Sequence, residues 1–182
     1  MKAWLTTNTK YLYKTPFGNL RKDTCKLPNG MTIDDYYVNE YVDWVNAIVL
    51  TKDNQIVLVE QYRHGCQGFY LEVPAGKIEE GERDEEGILR EIREETGYTS
   101  GVKPVLLGEF MVNPATQNNK IKTFLIMDAY QSAGQQLDET EEIDVTLIDF
   151  EKFGHLIRNR EIQTQLFTAS AYFMAKAVLD EG

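Results

Sequence analysis

Polar residues alternate with aromatic and aliphatic ones through residues 9–42, around the sequence Leu27-Pro28-Asn29-Gly30. Asn-Gly between two strand-like runs favours a tight hairpin turn, because both residues tolerate positive φ. The pattern predicts a small antiparallel unit over residues 1–43 and a larger domain over 44–182. In that domain the runs VNAIVL (45–50) and IVLVEQY (56–62) predict two strands joined through Lys52-Asp53-Asn54. FYLEV (69–73) predicts another, stopped by Pro74. The period then changes. Residues 82–96 are good helix formers, with Ile88, Leu89 and Ile92 on one face and Gly97 as a C-terminal stop. Strand-like runs return at 104–112, 121–129 and 143–148. Asp149 caps a predicted helix at 150–158, and a second covers 163–179 with Leu166, Phe167, Phe173 and Val178 as apolar positions. Strands mixed with separate helices predict an α/β layered domain on a mixed sheet.

Composition adds limits. A chain of 182 residues with 42% hydrophobic and 26% charged residues fits one well-buried core, or one domain with a small appendage. It holds no apolar run long enough to cross a membrane, and its first residues lack the hydrophobic core of a signal peptide, so a cytoplasmic protein is expected. Cys25 and Cys66 match no metal or redox spacing and read as reduced thiols. Nineteen basic against 29 acidic residues give a net charge of −10, which argues against a nucleic-acid surface. An acidic protein also repels anionic substrates, a conflict that a bound divalent cation resolves.

Half of that net charge lies in residues 76–98, GKIEEGERDEEGILREIREETGY, with nine acidic and four basic positions. On a helix Glu91 and Glu95 are four apart and Glu94 is three from Glu91, so all three project in neighbouring directions. Like charges at this spacing cost roughly 0.2–0.5 kcal/mol per pair on a bare helix. They are explained if a hard cation sits among them; the alternative is a solvated acidic face. Two details favour the cation. Arg90 and Arg93 flank the acids where they can orient carboxylates. Pro74-Ala75-Gly76 ends a strand and Gly81 breaks a loop just before the helix, which brings backbone carbonyls near the acidic face.

Gly76, five residues, Glu82, seven residues, then Arg90-Glu91-Ile92-x-Glu94-Glu95-x-Gly97-Tyr98 resembles the Nudix box of the Nudix hydrolases, with Tyr98 where an aliphatic residue is usual. The resemblance implies an α-β-α sandwich and binding of magnesium or manganese. It assigns metal coordination to Glu91 and Glu95, with Glu94 as a further or water-mediated ligand and the carbonyl of Ala75 completing the set. Arg90 would orient the glutamates, and Glu82 would brace the loop or reach a second metal. The implied reaction is attack of an activated water on a diphosphate.

Residues 60–64 (EQYRH) and 72–76 (EVPAG), with 15 residues between Tyr98 and Pro114, resemble the ADP-ribose and nucleotide-sugar pyrophosphatase branch. By that resemblance Arg63 would contact a phosphate and Glu72 could help bind metal; for Arg63 a surface salt bridge is an equal alternative. In that branch the segment after the proline supplies a catalytic glutamate. Here residues 113–120, NPATQNNK, contain no acid. The nearest reservoir of carboxylates is Glu139-Thr140-Glu141-Glu142, from which Glu141 is taken as the candidate base, against the reading of a solvated acidic loop. The substituted loop keeps other nucleotide sugars, GDP-mannose among them, within the expected range. Tyr36, Tyr37, Tyr41 and Trp44 either fill a sheet or subunit interface or stack on a base, Tyr37 and Trp44 being the candidates for stacking. N-terminal strands in this branch commonly pair across a homodimer, so a homodimer is expected. His64 and His155 read as structural. Against hydrolysis of nucleotide sugars stand two other readings. One is a Nudix hydrolase of nucleoside triphosphates or dinucleoside polyphosphates, and the other is a Nudix fold that binds a nucleotide sugar without cleaving it.

Overall fold

The computed structural model describes residues 1–181. They form two compact units, one of Met1–Asp43 with Phe110–Ile121, the other of Trp44–Glu109 with the chain from Lys122 on.

The first unit is a three-stranded antiparallel sheet of β1 (Leu5–Thr15), β2 (Gly18–Lys26) and β3 (Thr32–Glu40), in that order. The Asn-Gly turn lies between β2 and β3, where Leu27 donates its N–H to Met31 O and Gly30 adopts φ +89°. The pattern of alternation did not separate β1 from β2. Their turn is built instead by Thr15, whose hydroxyl accepts from Phe17 N and donates to Gly18 O at 2.8 Å. This sheet is stitched by polar contacts. Buried Asp23 accepts from Thr9 Oγ1 at 2.8 Å and from Arg21 Nε at 3.0 Å, and Arg21 also pairs with Glu40. Every residue of β1 is exposed.

The second unit is a mixed eight-stranded sheet with helices on both faces. Its order is β11 (Ile143–Asp149), β5 (Gln55–Arg63), β4 (Trp44–Thr51), β10 (Lys120–Gln131), β8 (Tyr98–Thr99). Alongside, β6 (Gly68–Glu72) pairs with β5, β7 (Ala75–Lys77) with β4, and β9 (Val105–Met111) with β10. Strand β4 is buried on both faces, which is why it reads as a continuous apolar run. Val45, Ala47 and Val49 meet Ile88 and Ile92 of α1 (Asp84–Thr96). Ile48 and Leu50, on the other face, pack in the core that holds Phe150 and Phe153 of α2 (Phe150–Asn159) and Ala171, Tyr172 and Ala175 of α3 (Leu166–Glu181). Asp149 caps α2 by accepting from Lys152 N at 2.9 Å.

Helix α3 does not bury most of its large apolar positions. Thr168, Ala171, Tyr172 and Ala175 point inward, while Leu166, Phe173 and Val178 are exposed. The spacing is helical in both cases, but the core beneath is already filled by the rings of Phe150 and Phe153, which meet Tyr172 tilted and edge-on. Only small side chains fit beside that ring. Gly154 of α2 shows the same constraint, since a Cβ there would stand 1.9 Å from the Tyr172 hydroxyl. Among the described residues no helix is long and apolar enough to cross a membrane.

Candidate active site

Packing of α1 on β4 sets the site. Because Ile88 and Ile92 are buried against the sheet, the glutamates one turn on face the neighbouring strand β7. The N–H of Ala75 donates to Glu95 Oε2 at 3.1 Å, and the N–H of Lys77 donates to Glu91 Oε1 at 3.2 Å. Gly76 lies between these donors. A Cβ at that position would fall 1.9 Å from the Glu91 carboxyl carbon, so only glycine lets strand and carboxylate approach this closely. Gly87 is similarly tight, its absent Cβ 2.9 Å from Glu82 Oε2.

Helix α1 begins at Asp84, two residues later than predicted, and Arg83 at its N-cap makes no side-chain cap. Glu82 therefore belongs to the loop, where it accepts from Glu79 N at 3.1 Å. Arg90 binds it by two contacts, Nε to Oε1 at 2.9 Å and Nη2 to Oε2 at 3.0 Å. The same guanidinium reaches Glu91 at 3.0 Å, Glu94 at 2.9 Å and the carbonyl of Lys77 at 3.0 Å. The helix ends at Gly97, φ +73°, where a Cβ would meet Ala133 O at 2.3 Å. That close approach brings the 132–142 loop onto the helix end, where Gln136 N bonds to Glu94 O and Gln135 Nε2 to Glu95 O.

The acids are not equivalent. Burial pushes the Glu95 carboxyl up to about 8, helped by the negative charges of Glu91 and Glu141 and opposed by the Ala75 N–H and Arg63. Burial also raises Glu91, against the pull of Arg90. Glu82 goes the other way, held down by its hydrogen bond from Arg90. Among the described residues no three His, Cys, Asp or Glu side chains gather as a metal-binding cluster. Glu91 and Glu95 are instead each drawn onto a backbone N–H.

Arg63 and Glu72 hold one another. The guanidinium donates through Nε at 3.0 Å and Nη2 at 2.6 Å to a carboxylate that is 1% exposed. Glu95 and Glu141 both act on Arg63 electrostatically, so Arg63, Glu72, Glu95 and Glu141 belong to one charge cluster. Glu141 is exposed and accepts from Asp138 N at 3.1 Å. Trp44 pairs with Lys77 across β4 and β7, and its ring meets Phe167 edge-on at 5.9 Å. Tyr37 and Pro114 lie in the first unit. Tyr37 is exposed on β3. The segment that carries Pro114 is fastened to β3 and the residues just after it. Asn39 N donates to Thr116 O at 2.8 Å, Tyr36 hydroxyl to Ala115 O, and Tyr41 N to Asn118 Oδ1. Sequence reasoning missed Gln165, whose Nε2 donates to Glu72 Oε2 at 2.6 Å across 93 residues of chain. His155 contacts Arg158, and both cysteines are free.

A strand–loop–helix with this glutamate geometry on an α-β-α sheet defines a class. The NUDIX domain model matches residues 41–169, and the chain belongs to the Nudix hydrolase family. The nucleoside diphosphate sugar hydrolase N-terminal domain model matches residues 4–39. Among its relatives are a methanol dehydrogenase activator of Bacillus methanolicus and an ADP-ribose pyrophosphatase of Bacillus subtilis. The first is 31% identical over 86% of this chain and 84% of its own. The second is 30% identical over 79% of this chain and 77% of its own. A solved structure described as an ADP compounds hydrolase matches with TM-score 0.84 over 100% of this chain and 96% of that one, at 18% identity.

The Glu95 environment has a measurable consequence without metal. The native state keeps this proton up to about 8, whereas the unfolded chain releases it near 4.5, so native stability falls as pH rises through that window. In chelator, wild type should lose on the order of a few kcal/mol relative to Glu95→Gln between pH 5 and 8, read by urea unfolding. Equal pH slopes in the two proteins would contradict the assignment.

Proposed function

We propose that this chain hydrolyses the diphosphate bond of ADP-ribose and related nucleoside diphosphate sugars, giving a nucleoside monophosphate and a sugar phosphate. The observation that carries the reading is the convergence of Glu91 and Glu95 on the backbone of Ala75–Lys77, organised by Arg90. The relatives that bear ADP-ribose pyrophosphatase names, and the N-terminal model named for nucleoside diphosphate sugar hydrolases, support the substrate class.

Two features suit the site to magnesium or manganese. Its donors are hard oxygens, and the buried Glu95 and half-buried Glu91 carboxylates repel one another there, which a divalent cation relieves. Glu91, Glu95 and the Ala75 carbonyl would hold it, with Glu94 as a further ligand. When bound, the cation neutralises the diphosphate and acidifies a water. The chain's own residues do the rest. Arg90 fixes the glutamates, and Arg63 turns its guanidinium to a phosphate oxygen. Glu141, exposed at the cluster's edge, takes the proton of the attacking water. Its neighbour Asp138 orients it through a backbone N–H. Trp44 supplies a ring for a base.

Residues 1–43, the three-stranded part of the first unit, are proposed as the dimerisation element of a cytoplasmic homodimer. Strand β1 is an exposed eleven-residue edge bearing Leu5, Tyr11, Leu12 and Tyr13, the kind of surface a second copy covers. Sedimentation velocity should give a mass near twice 20.9 kDa; a monomer at micromolar concentration would remove the proposal.

The substrate reading is tested by a panel of ADP-ribose, GDP-mannose, UDP-glucose and nucleoside triphosphates with magnesium, scored for monophosphate release. The nucleotide sugars should be cleaved preferentially, and preference for triphosphates would refute it. Run on the same panel, Glu141→Gln should lower kcat about 10²–10⁴-fold with KM little changed. A wild-type kcat in that variant would place the base elsewhere.

A further inference from the structure

Glu72 is 1% exposed and carries three hydrogen bonds on two oxygens. Two come from Arg63, whose side chain is 46% exposed, and one comes from Gln165. These partners differ in freedom. Arg63 stands at the last position of β5. Gln165 is locked by its neighbours: Leu71 N donates to Gln163 O at 2.9 Å, Thr164 Oγ1 to Leu71 O at 2.6 Å, and Val73 N to Thr168 Oγ1 at 3.1 Å. The chain from 163 to 168 thus runs beside Leu71, Glu72 and Val73 and ties each of them. Two residues further on, Ala75 donates its N–H to Glu95.

The conflict lies in what Arg63 must do. A guanidinium that turns to a diphosphate leaves its carboxylate partner, and a buried carboxylate without a donor is costly. We infer that Gln165 is a positioning residue for substrate binding: it keeps the buried Glu72 carboxylate hydrogen-bonded and in place while Arg63 leaves it for the diphosphate. The neutral amide suits this role. A second cation at this position would compete with the substrate's own counter-charges, and an apolar residue would tie Arg63 to Glu72. The inference rests on the nucleotide-sugar reading for the identity of Arg63's second partner.

The test is a double-mutant cycle of Gln165→Leu and Arg63→Ala. Binding of α,β-methylene-ADP-ribose, which cannot be hydrolysed at the diphosphate bridge, is titrated calorimetrically with magnesium, and melting is followed by circular dichroism. In the otherwise wild-type protein Gln165→Leu should weaken binding about tenfold, about 1.4 kcal/mol. It should raise KM with kcat nearly unchanged and barely move Tm, because Arg63 still covers Glu72 in the free enzyme. In the Arg63→Ala background the pattern should invert. Gln165→Leu then leaves the analogue's Kd unchanged within twofold but lowers Tm by about 3–10 °C, since Glu72 has lost both partners. A merely structural glutamine would lower Tm equally in both backgrounds, and that result overturns the inference. So does a tenfold loss of binding that persists without Arg63. A wild-type protein that does not bind the analogue overturns the nucleotide-sugar reading, and the melting comparison then decides alone whether Gln165 holds Glu72 in the absence of Arg63.

Discussion

One guanidinium ties together the three pieces from which the site is built. Arg90 reaches loop residue Glu82, strand carbonyl Lys77 and helix residues Glu91 and Glu94 at 2.9–3.0 Å. A planar fork with five N–H donors can make such a set at once, and a lysine ammonium cannot. The placement also answers an electrostatic problem. Glutamates at positions 91, 94 and 95 repel each other on the helix, and Arg90 lowers that repulsion without filling the space between Glu91 and Glu95. What remains is one strongly desolvated acid, Glu95, beside a better-compensated one, Glu91.

The frame around it is stiff for reasons of packing. Strand β4 has a core on each face, so the strand that aligns Ala75, Gly76 and Lys77 is held from both sides. Helix α1 cannot rotate its acids away from β7 without withdrawing Ile88 and Ile92 from the apolar cluster, at roughly 1.5–3 kcal/mol each. On the opposite face, α3 approaches through Thr168, Ala171 and Ala175, and this closeness lets the 163–168 stretch bond directly to Leu71 of β6 and to Val73 just after it. The site is therefore supported from α1 through Arg90 and from the α3 side through Gln165.

Most of the site was legible because its information is local. Gly76, Arg90, Glu91, Glu94 and Glu95 lie within twenty residues, and the helical period fixes their relative directions. The start of α1 was misplaced by two residues because Arg83 is no N-cap type and nothing in the composition marks the boundary. Strand β1 merged with β2 because Pro16-Phe17 lacks the glycine signal that marks the second hairpin. What stayed invisible was long-range. Gln165 meets Glu72 across 93 residues, and its neighbours are ordinary polar residues on the approach to a helix. The buried face of α3 was not legible from its apolar positions, because hydrophobicity ranks Leu166 and Phe173 above Thr168 and Ala171, whereas a core already filled by Tyr172 admits only the smaller pair. The pairing of Arg63 with Glu72 was open in sequence, since each residue had a reading of its own; the fold places them in one bidentate contact.

The central claim is that the carboxylates facing Ala75–Lys77 form a divalent-cation site. Manganese binding read by electron paramagnetic resonance tests it without any substrate. Wild type and Glu86→Gln, a change at an exposed position in the first turn of α1, should bind the ion alike at neutral pH. Glu91→Gln and Glu95→Gln should each weaken binding at least about tenfold, the scale on which metal sites respond to altered ligation. Wild-type manganese affinity in both of those variants would contradict the account.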